Sequence, residues 1–366
     1  WNGFKFKPPY GGSASPEIIS EIEAYISNIG TPEKIPTMPI DHAEEIGLLE
    51  KIDPEPTYLN HIAQMVNLNR IRNAGLNIAV DSMHGAGSKY FAKLMEGGTS
   101  NVVELRSEHD PNFPDMIQPE PIKKNLGPLI DFMEGSNFDV GLATDGDADR
   151  LGLIDEDGNY ISTLHAFSLI CKHLLENLEM KGPIIKSVTM TNIINKLGEL
   201  HEVEVIDTPV GFKYLGPVMM EENAIAAGEE SGGYGFTGHI PERDGLLSGL
   251  MILDLMSITQ LNPSDLLEEL EELVGVYHYD RHDISFEERD RECKLLRIAD
   301  TQFESIGDLK VISTDDRDGL KLNLEENSWA LIRFSGTEPL IRIYAEAPTA
   351  NQVEKIIQNC SKIVEQ

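Results

Sequence analysis

Three short segments carry residues whose types and spacing can do chemistry. The first is Thr144-Asp145-Gly146-Asp147-Ala148-Asp149-Arg150, directly after the apolar stretch FDVGLA. Carboxylates at every second position offer hard oxygen ligands of the kind Mg²⁺ or Ca²⁺ takes. Gly146 and Ala148 leave room for the chain to fold around an ion, and Arg150 suits a phosphate that shares it. An EF-hand loop is excluded. Glu156 falls where the last ligand would be, but Arg150 stands where that loop needs a glycine, and both flanks read as strands. A solvated acidic turn is the plain alternative. The third acid, the adjacent Arg and the strand end argue against it, because open α/β sheets bind ligands at the carboxyl ends of strands.

The second segment is Gly228-Glu229-Glu230-Ser231-Gly232-Gly233-Tyr234-Gly235, after the apolar run AIAA. Its glycines permit positive φ and close approach to a ligand. Glu229 and Ser231 could then hydrogen-bond vicinal sugar hydroxyls. Just downstream, Arg243-Asp244-Gly245 opens a helix whose N-terminus suits an anion. The third segment is Arg333-Phe334-Ser335-Gly336-Thr337-Glu338-Pro339, between two apolar strands, with Arg342 following. A guanidinium, two hydroxyls and loop N–H groups beside a glycine form a phosphate-binding composition. A metal loop, a polyol loop and a phosphate loop together point to phosphoryl chemistry on a sugar.

The elements that must position these loops read as α/β. Strand-like stretches alternate with helices from about residue 57, with a hairpin turning at Asp157-Gly158. A second α/β block follows, with strands PIIKSVTM, VEVIDTP and AIAAGEE and helices at Thr163–Leu178, Asn192–His201 and Leu215–Glu222. A long helix begins near Asp244, and Asn262-Pro263-Ser264-Asp265 breaks it and caps the next. From about Val276 the pattern becomes α+β. Before all of this come a strand-like FKFK, a helix from Pro16 to about Ser27 and a Pro-rich, acidic linker. The expected division is 1–56 (a domain tail plus linker), 57–160 (metal loop), 161–275 (sugar loop) and 276–366 (phosphate loop).

The 366 residues include 62 acids and 30 bases, a formal charge of −32 that repels nucleic acid and anionic membrane as general partners. A local cluster of Arg and Mg²⁺ still admits an anionic substrate. The longest apolar stretch, Gly245 to Met256, is too short to span a bilayer and contains Asp254. Cys171, Cys293 and Cys360 lie far apart without metal-ligand spacing, which fits free thiols in a reducing, cytoplasmic setting. Nothing in the pattern sets an oligomeric state.

The three loops, in this order, resemble the α-D-phosphohexomutase superfamily, and the resemblance covers essentially the whole chain. It implies α/β domains and a smaller C-terminal α+β domain around a central cleft. Asp145, Asp147 and Asp149 would hold Mg²⁺. Glu229 and Ser231 would grip the sugar, and Arg333, Ser335, Gly336 and Thr337 its non-reacting phosphate. In TPVGFKYL, Lys213 matches a cleft lysine of the family. DSMHGAG at 81–87 matches the opening of its second domain, where Ser82 and His84 read as a strand-end turn rather than nucleophile and base.

The implied activity interconverts hexose 1-phosphate and hexose 6-phosphate through a phosphoserine and a 1,6-bisphosphate intermediate. Arg150 and Lys5 are its catalytic candidates, with Lys7 beside Lys5. The family's phosphoserine lies in a Ser-His-Asn-Pro loop shortly before an Asn-Gly-Phe-Lys segment. Asn2-Gly3-Phe4-Lys5 is present here, but the Ser-His-Asn-Pro loop is not. The expectation is therefore a fragment without mutase turnover of its own. The alternative is a non-catalytic sugar-phosphate-binding protein. GEESGG also departs from the family's Ser-Gly-His form, which turns the expected substrate toward glucose phosphates, with mannose phosphates next, and away from amino sugars.

Overall fold

The computed structural model describes residues 4–31, 35–114, 116–301, 303–336 and 338–365, without the side chains of 299 and 300. Its first sheet holds β1 (Asn77–Asp81), β2 (Asn101–Leu105), β3 (Val140–Thr144), β4 (Leu151–Ile154) and β5 (Tyr160–Ile161), in the order β2-β1-β3-β4-β5. β1 is parallel to β2 and β3, whereas β4 and β5 are antiparallel. A second sheet holds β6 (Ile184–Ser187), β7 (Val205–Thr208), β8 (Ala226–Gly228) and β9 (Tyr234–Phe236), in the order β7-β6-β8-β9. β6 is parallel to β7 and β8, and β9 is antiparallel. The two sheets thus repeat one plan: three parallel strands, then a tight reversal into an antiparallel strand. The Asp145–Arg150 loop is that reversal in the first sheet, and Glu229–Gly233 is that reversal in the second.

The third sheet is wholly antiparallel. Its strands are β10 (His278–Ser285), β11 (Ser305–Ile306), β12 (Leu309–Asp315), β13 (Leu320–Leu324), β14 (Trp329–Phe334) and β15 (Leu340–Ala347), in the order β10-β15-β14-β13-β12-β11. One face carries Ile332, Ile343 and Ala345 against Val353, Ile356 and Cys360 of the helix Ala350–Glu365. Trp329, Leu331 and Tyr344 of the other face pack against Val188 and Val210 of the second unit.

The helix Gly245–Thr259 explains how the first two units share a core. It is apolar on every side, and Gly245 to Ser257 are all buried. A helix of that kind must be surrounded. It packs against β3 and β4 of one sheet, β9 of the other and the helices Leu68–Arg72 and Thr163–Lys172. Its one charge, Asp254, is fully buried and is paired with Arg70 at 2.7 Å and His173 at 3.3 Å, as a buried carboxylate requires. Among the described residues, no single helix is long and apolar enough to cross a membrane.

Several local expectations are corrected. Phe4–Lys7 joins no strand. The 31–56 linker contains the helix Ile40–Glu45 and the start of Glu55–Ile62, and the helix expected near 57–73 is two, Glu55–Ile62 and Leu68–Arg72. Asn67 breaks it by capping the second helix through the Arg70 N–H. The helix from Thr163 ends in a π turn at His173–Asn177, and the one expected from Leu215 starts at Phe212. The capping box at Asn262 is present, with Asp265 as its partner. Asn2 and Gly3 of the Asn-Gly-Phe-Lys segment lie outside the described residues.

Candidate functional site

The metal-type loop is built by Asp145 itself. This side chain is buried, and its Oδ1 accepts the backbone N–H groups of Asp149 at 2.9 Å and Arg150 at 3.0 Å. That folds the loop back on its first acid and brings one oxygen from each of Asp145, Asp147 and Asp149 within 4.8 Å of one another. Ala148 takes a positive φ of 60° to make the turn. The turn at 81–87 braces the loop from behind: the Ala86 N–H donates to the Gly146 carbonyl at 3.0 Å. A Cβ at Gly85 would stand 2.7 Å from that carbonyl oxygen, and one at Gly87 would stand 2.7 Å from Thr144 Oγ1. Ser82 is fully buried, and His84 faces the Glu108 carbonyl at 2.8 Å, so this segment is a structural turn.

Four cations ring these acids or their neighbours. Lys5 Nζ lies 2.7 Å from Asp147 and 3.8 Å from Asp149. Arg150 lies 3.4 Å from Asp145, 3.7 Å from Asp149 and 3.0 Å from Glu120. Arg243 reaches Asp149 at 2.6 Å. Lys7 pairs with Glu242, the residue before Arg243, and Ser13 Oγ donates to that same carboxylate at 2.6 Å. Burial, with Asp149 beside it, pushes the Asp145 carboxyl well above the usual range. Burial pushes Asp147 up as well, but its Lys5 partner overcomes this and holds it below the usual range. Asp149 Oδ1 and Arg150 Nε are buried without a hydrogen-bond partner among the described residues. Three converging carboxylates, one of whose oxygens carries no hydrogen bond among the described residues, fit a hard divalent cation.

The sugar-type loop is the tip of the β8–β9 hairpin. Its Glu229 is buried and accepts the Gly211 N–H at 2.8 Å through Oε1, while Oε2 lies 3.4 Å from Arg243. Burial raises the Glu229 carboxyl, against the pull of Arg243. Ser231 is half-buried. The Leu151 N–H donates to the Gly232 carbonyl at 2.9 Å, and the Gly245 N–H to the Ala148 carbonyl at 2.9 Å. Metal loop, sugar loop and helix start are therefore joined by backbone bonds. Lys213 is exposed, with Nζ 5.0 Å from the Tyr214 ring centroid, on the same turn as Gly211.

The phosphate-type loop lies between β14 and β15. Arg333 Nε donates to Asp318 at 2.9 Å, and the same Asp318 oxygen accepts the Val210 N–H at 2.8 Å. Ser335 is buried and its carbonyl accepts Arg291 at 3.1 Å, whereas Gly336 is exposed with open space around it. Thr337 lies outside the described residues. Arg342 pairs with Glu338 at 3.2 Å. Arg281 of β10 lies 3.5 Å from Glu230, the neighbour of Glu229. A run of polar contacts thus connects all three loops: Arg333–Asp318–Val210, then Gly211–Glu229–Arg243–Asp149.

Arg243 was legible in the sequence only as the start of a helix. Its bridge between two loops, and the anchoring of Glu242 by Lys7 and Ser13, join residues 94 or more positions apart in part, and no local spacing signals them.

Three family descriptions match this chain. Phosphoglucomutase/phosphomannomutase alpha/beta/alpha domain II matches residues 56–158, domain III matches 158–274, and the C-terminal domain matches 294–362. A probable phosphoglucosamine mutase from Thermococcus gammatolerans is 30% identical over 376 aligned positions, covering 100% of this chain and 76% of that protein. A phosphoglucomutase/phosphomannomutase from Thermococcus kodakarensis is 29% identical over 322 positions, covering 88% of this chain and 68% of its own length. The solved structure of a putative phosphomannomutase from Thermus thermophilus superposes with a TM-score of 0.80 at 28% identity, over 98% of this chain and 74% of that one. The chain belongs to the phosphoglucomutase/phosphomannomutase family, within the α-D-phosphohexomutase superfamily.

Proposed function

We propose that this chain supplies the cleft of a hexose phosphate mutase that interconverts hexose 1-phosphate and 6-phosphate. The observation that carries the reading is the convergence of Asp145, Asp147 and Asp149 within 4.8 Å, linked to Glu229 through Arg243. In this reading the three aspartates hold Mg²⁺, whose positive charge would stabilise a transferring phosphoryl group. Arg150, 25% exposed beside the aspartates, adds a second positive charge there. In the same reading Lys5, paired with Asp147, exchanges a proton with the reacting oxygen. Glu229 and Ser231 orient the sugar with Lys213 at the cleft edge, and Arg333, Ser335, Gly336 and Thr337 take the phosphate at its far end. A phosphoserine outside these 366 residues exchanges the phosphoryl group, with a hexose 1,6-bisphosphate as the intermediate. The division at 57–160, 161–275 and 276–366 assigns one loop to each domain.

Glucose phosphate is the preferred substrate, then mannose phosphate, because Gly233 supplies no side chain to meet an amino or other 2-substituent. The three unpaired cysteines fit a reducing, cytoplasmic setting. The test is phosphorus NMR of glucose 1-phosphate with Mg²⁺ and glucose 1,6-bisphosphate. The 366-residue chain is expected to leave the 1-phosphate signal unchanged. A chain carrying an added Ser-His-Asn-Pro domain from a relative is expected to convert it. Conversion by the 366 residues alone would overturn the role given to that serine, and no conversion by either would count against the mutase reading.

A further inference from the structure

Gly233 and Arg243 fit one another in a way that neither loop motif explains. Gly233 does not take a left-handed φ, so the backbone turn does not itself demand a glycine there. Yet a Cβ there would overlap Arg243 Cδ and stand 2.8 Å from Cγ and 3.3 Å from Nε, the three nearest atoms all belonging to Arg243. The neighbouring Gly232 differs: its φ is +92° and a Cβ would meet the Leu151 carbonyl oxygen at 2.7 Å. Gly232 is needed by the turn, and Gly233 is needed by the arginine stem. Through that gap the guanidinium reaches Asp149 at 2.6 Å and Glu229 at 3.4 Å, with its Cζ 5.9 Å from the Phe212 ring centroid. Its Nε has no hydrogen-bond partner among the described residues and lies 3.6 Å from Glu242. The helix it precedes is fixed by Asp244, which caps the Leu247 N–H at 2.8 Å and accepts Tyr58 at 2.8 Å.

We propose that Arg243, admitted by Gly233, is a positioning residue that divides its charge between the metal carboxylate Asp149 and the sugar-loop carboxylate Glu229. The inference rests on the mutase reading of the cleft. Without a metal, Arg243 neutralises Asp149 and so competes with a cation for that oxygen. With a cation on the aspartates, the guanidinium is free for Glu229 and for the anionic substrate beside it. One side chain therefore weakens metal binding and strengthens sugar-phosphate binding. A residue that merely held the fold together would support both. Lys keeps the charge but loses the planar fork that reaches two carboxylates at once.

The test is calorimetric titration of the chain with Mn²⁺ alone, and with glucose 1-phosphate at saturating Mg²⁺. Arg243→Met should bind Mn²⁺ about tenfold more tightly and glucose 1-phosphate about tenfold more weakly. Arg243→Lys should leave Mn²⁺ affinity near wild type and still lose sugar-phosphate affinity. Gly233→Ala, which alters neither carboxylate nor charge, should follow Arg243→Met in both directions. If Arg243→Met shifts both affinities the same way while the wild type binds both ligands, the positioning role is overturned and the mutase reading stands. If Gly233→Ala leaves both affinities unchanged, the fit between the two residues is overturned. Wild type that binds neither ligand would overturn the mutase reading itself, and this inference with it.

Discussion

Lys321 holds its Nζ 4.4 Å from the Trp329 ring centroid, both side chains buried where the antiparallel sheet meets the second α/β unit. Its Nζ donates to the Val188 carbonyl at 2.8 Å. Burial, reinforced by the nearby Lys186, lowers its pKa to about 7, with Asp207, Glu346 and Asp315 pulling the other way. A lysine depressed in the fold is deprotonated there while the unfolded chain still holds the proton, so stability rises with pH between about 7 and 10. Thermal unfolding of the wild type compared with Lys321→Met between pH 7 and 9 should show this. The wild type should gain up to about 1.4 kcal/mol per pH unit relative to the variant. Parallel pH profiles would contradict it.

Asp145 and Asp147 should behave differently although both are metal candidates. Asp145→Ala removes the acceptor of two loop N–H groups. It should cost about 1–3 kcal/mol of stability as well as metal binding. Asp147, 58% exposed on its side chain, should lose metal affinity at least about tenfold with little change in melting temperature. Calorimetric Mn²⁺ titration and thermal unfolding of the two variants separate the effects. Equal melting temperatures for the two would contradict the loop-building role of Asp145.

Gly85 should matter to a metal it never touches. A Cβ there would press on the Gly146 and Asp145 carbonyl oxygens at 2.7 and 2.9 Å. Backbone atoms cannot swing aside as a side-chain end can, so the loop itself must move. Gly85→Ala should therefore weaken Mn²⁺ binding while all three aspartates remain. An unchanged affinity would show that the loop tolerates the shift.

Arg333 should be intolerant of lysine. Its Nε is already committed to Asp318, so under the proposed function the outer edge of the guanidinium takes the phosphate. Arg333→Gln should weaken glucose 1-phosphate binding by about 2–3 kcal/mol, and Arg333→Lys should restore little of it. Restoration by Lys to wild-type affinity would show that charge alone suffices.

Much of the fold and site is legible in the sequence, for identifiable reasons. The apolar runs FDVGLA, AIAA and WALIRF end in polar, Gly-containing loops, and those loops are where β3, β8 and β14 deliver them. Asn262 and Asp265 signalled their capping box locally. The hairpin strand β9 was not legible, because Tyr234-Gly235-Phe236 is three residues with a central glycine. FKFK alternates like a strand yet pairs with no strand among the described residues, and alternation alone does not supply one. The Arg243 bridge and the Lys321–Trp329 contact depend on how separate sheets dock, which no short window of sequence encodes.

The central claim is that three loops form one metal-dependent sugar-phosphate site, and calorimetry of glucose 1-phosphate with and without Mg²⁺ tests it most directly. Saturable one-to-one binding that weakens when Mg²⁺ is removed, and again in Arg333→Gln, is expected. Wild-type protein that takes up no heat from glucose 1-phosphate under either condition, or binds it identically without Mg²⁺ and in Arg333→Gln, would contradict it.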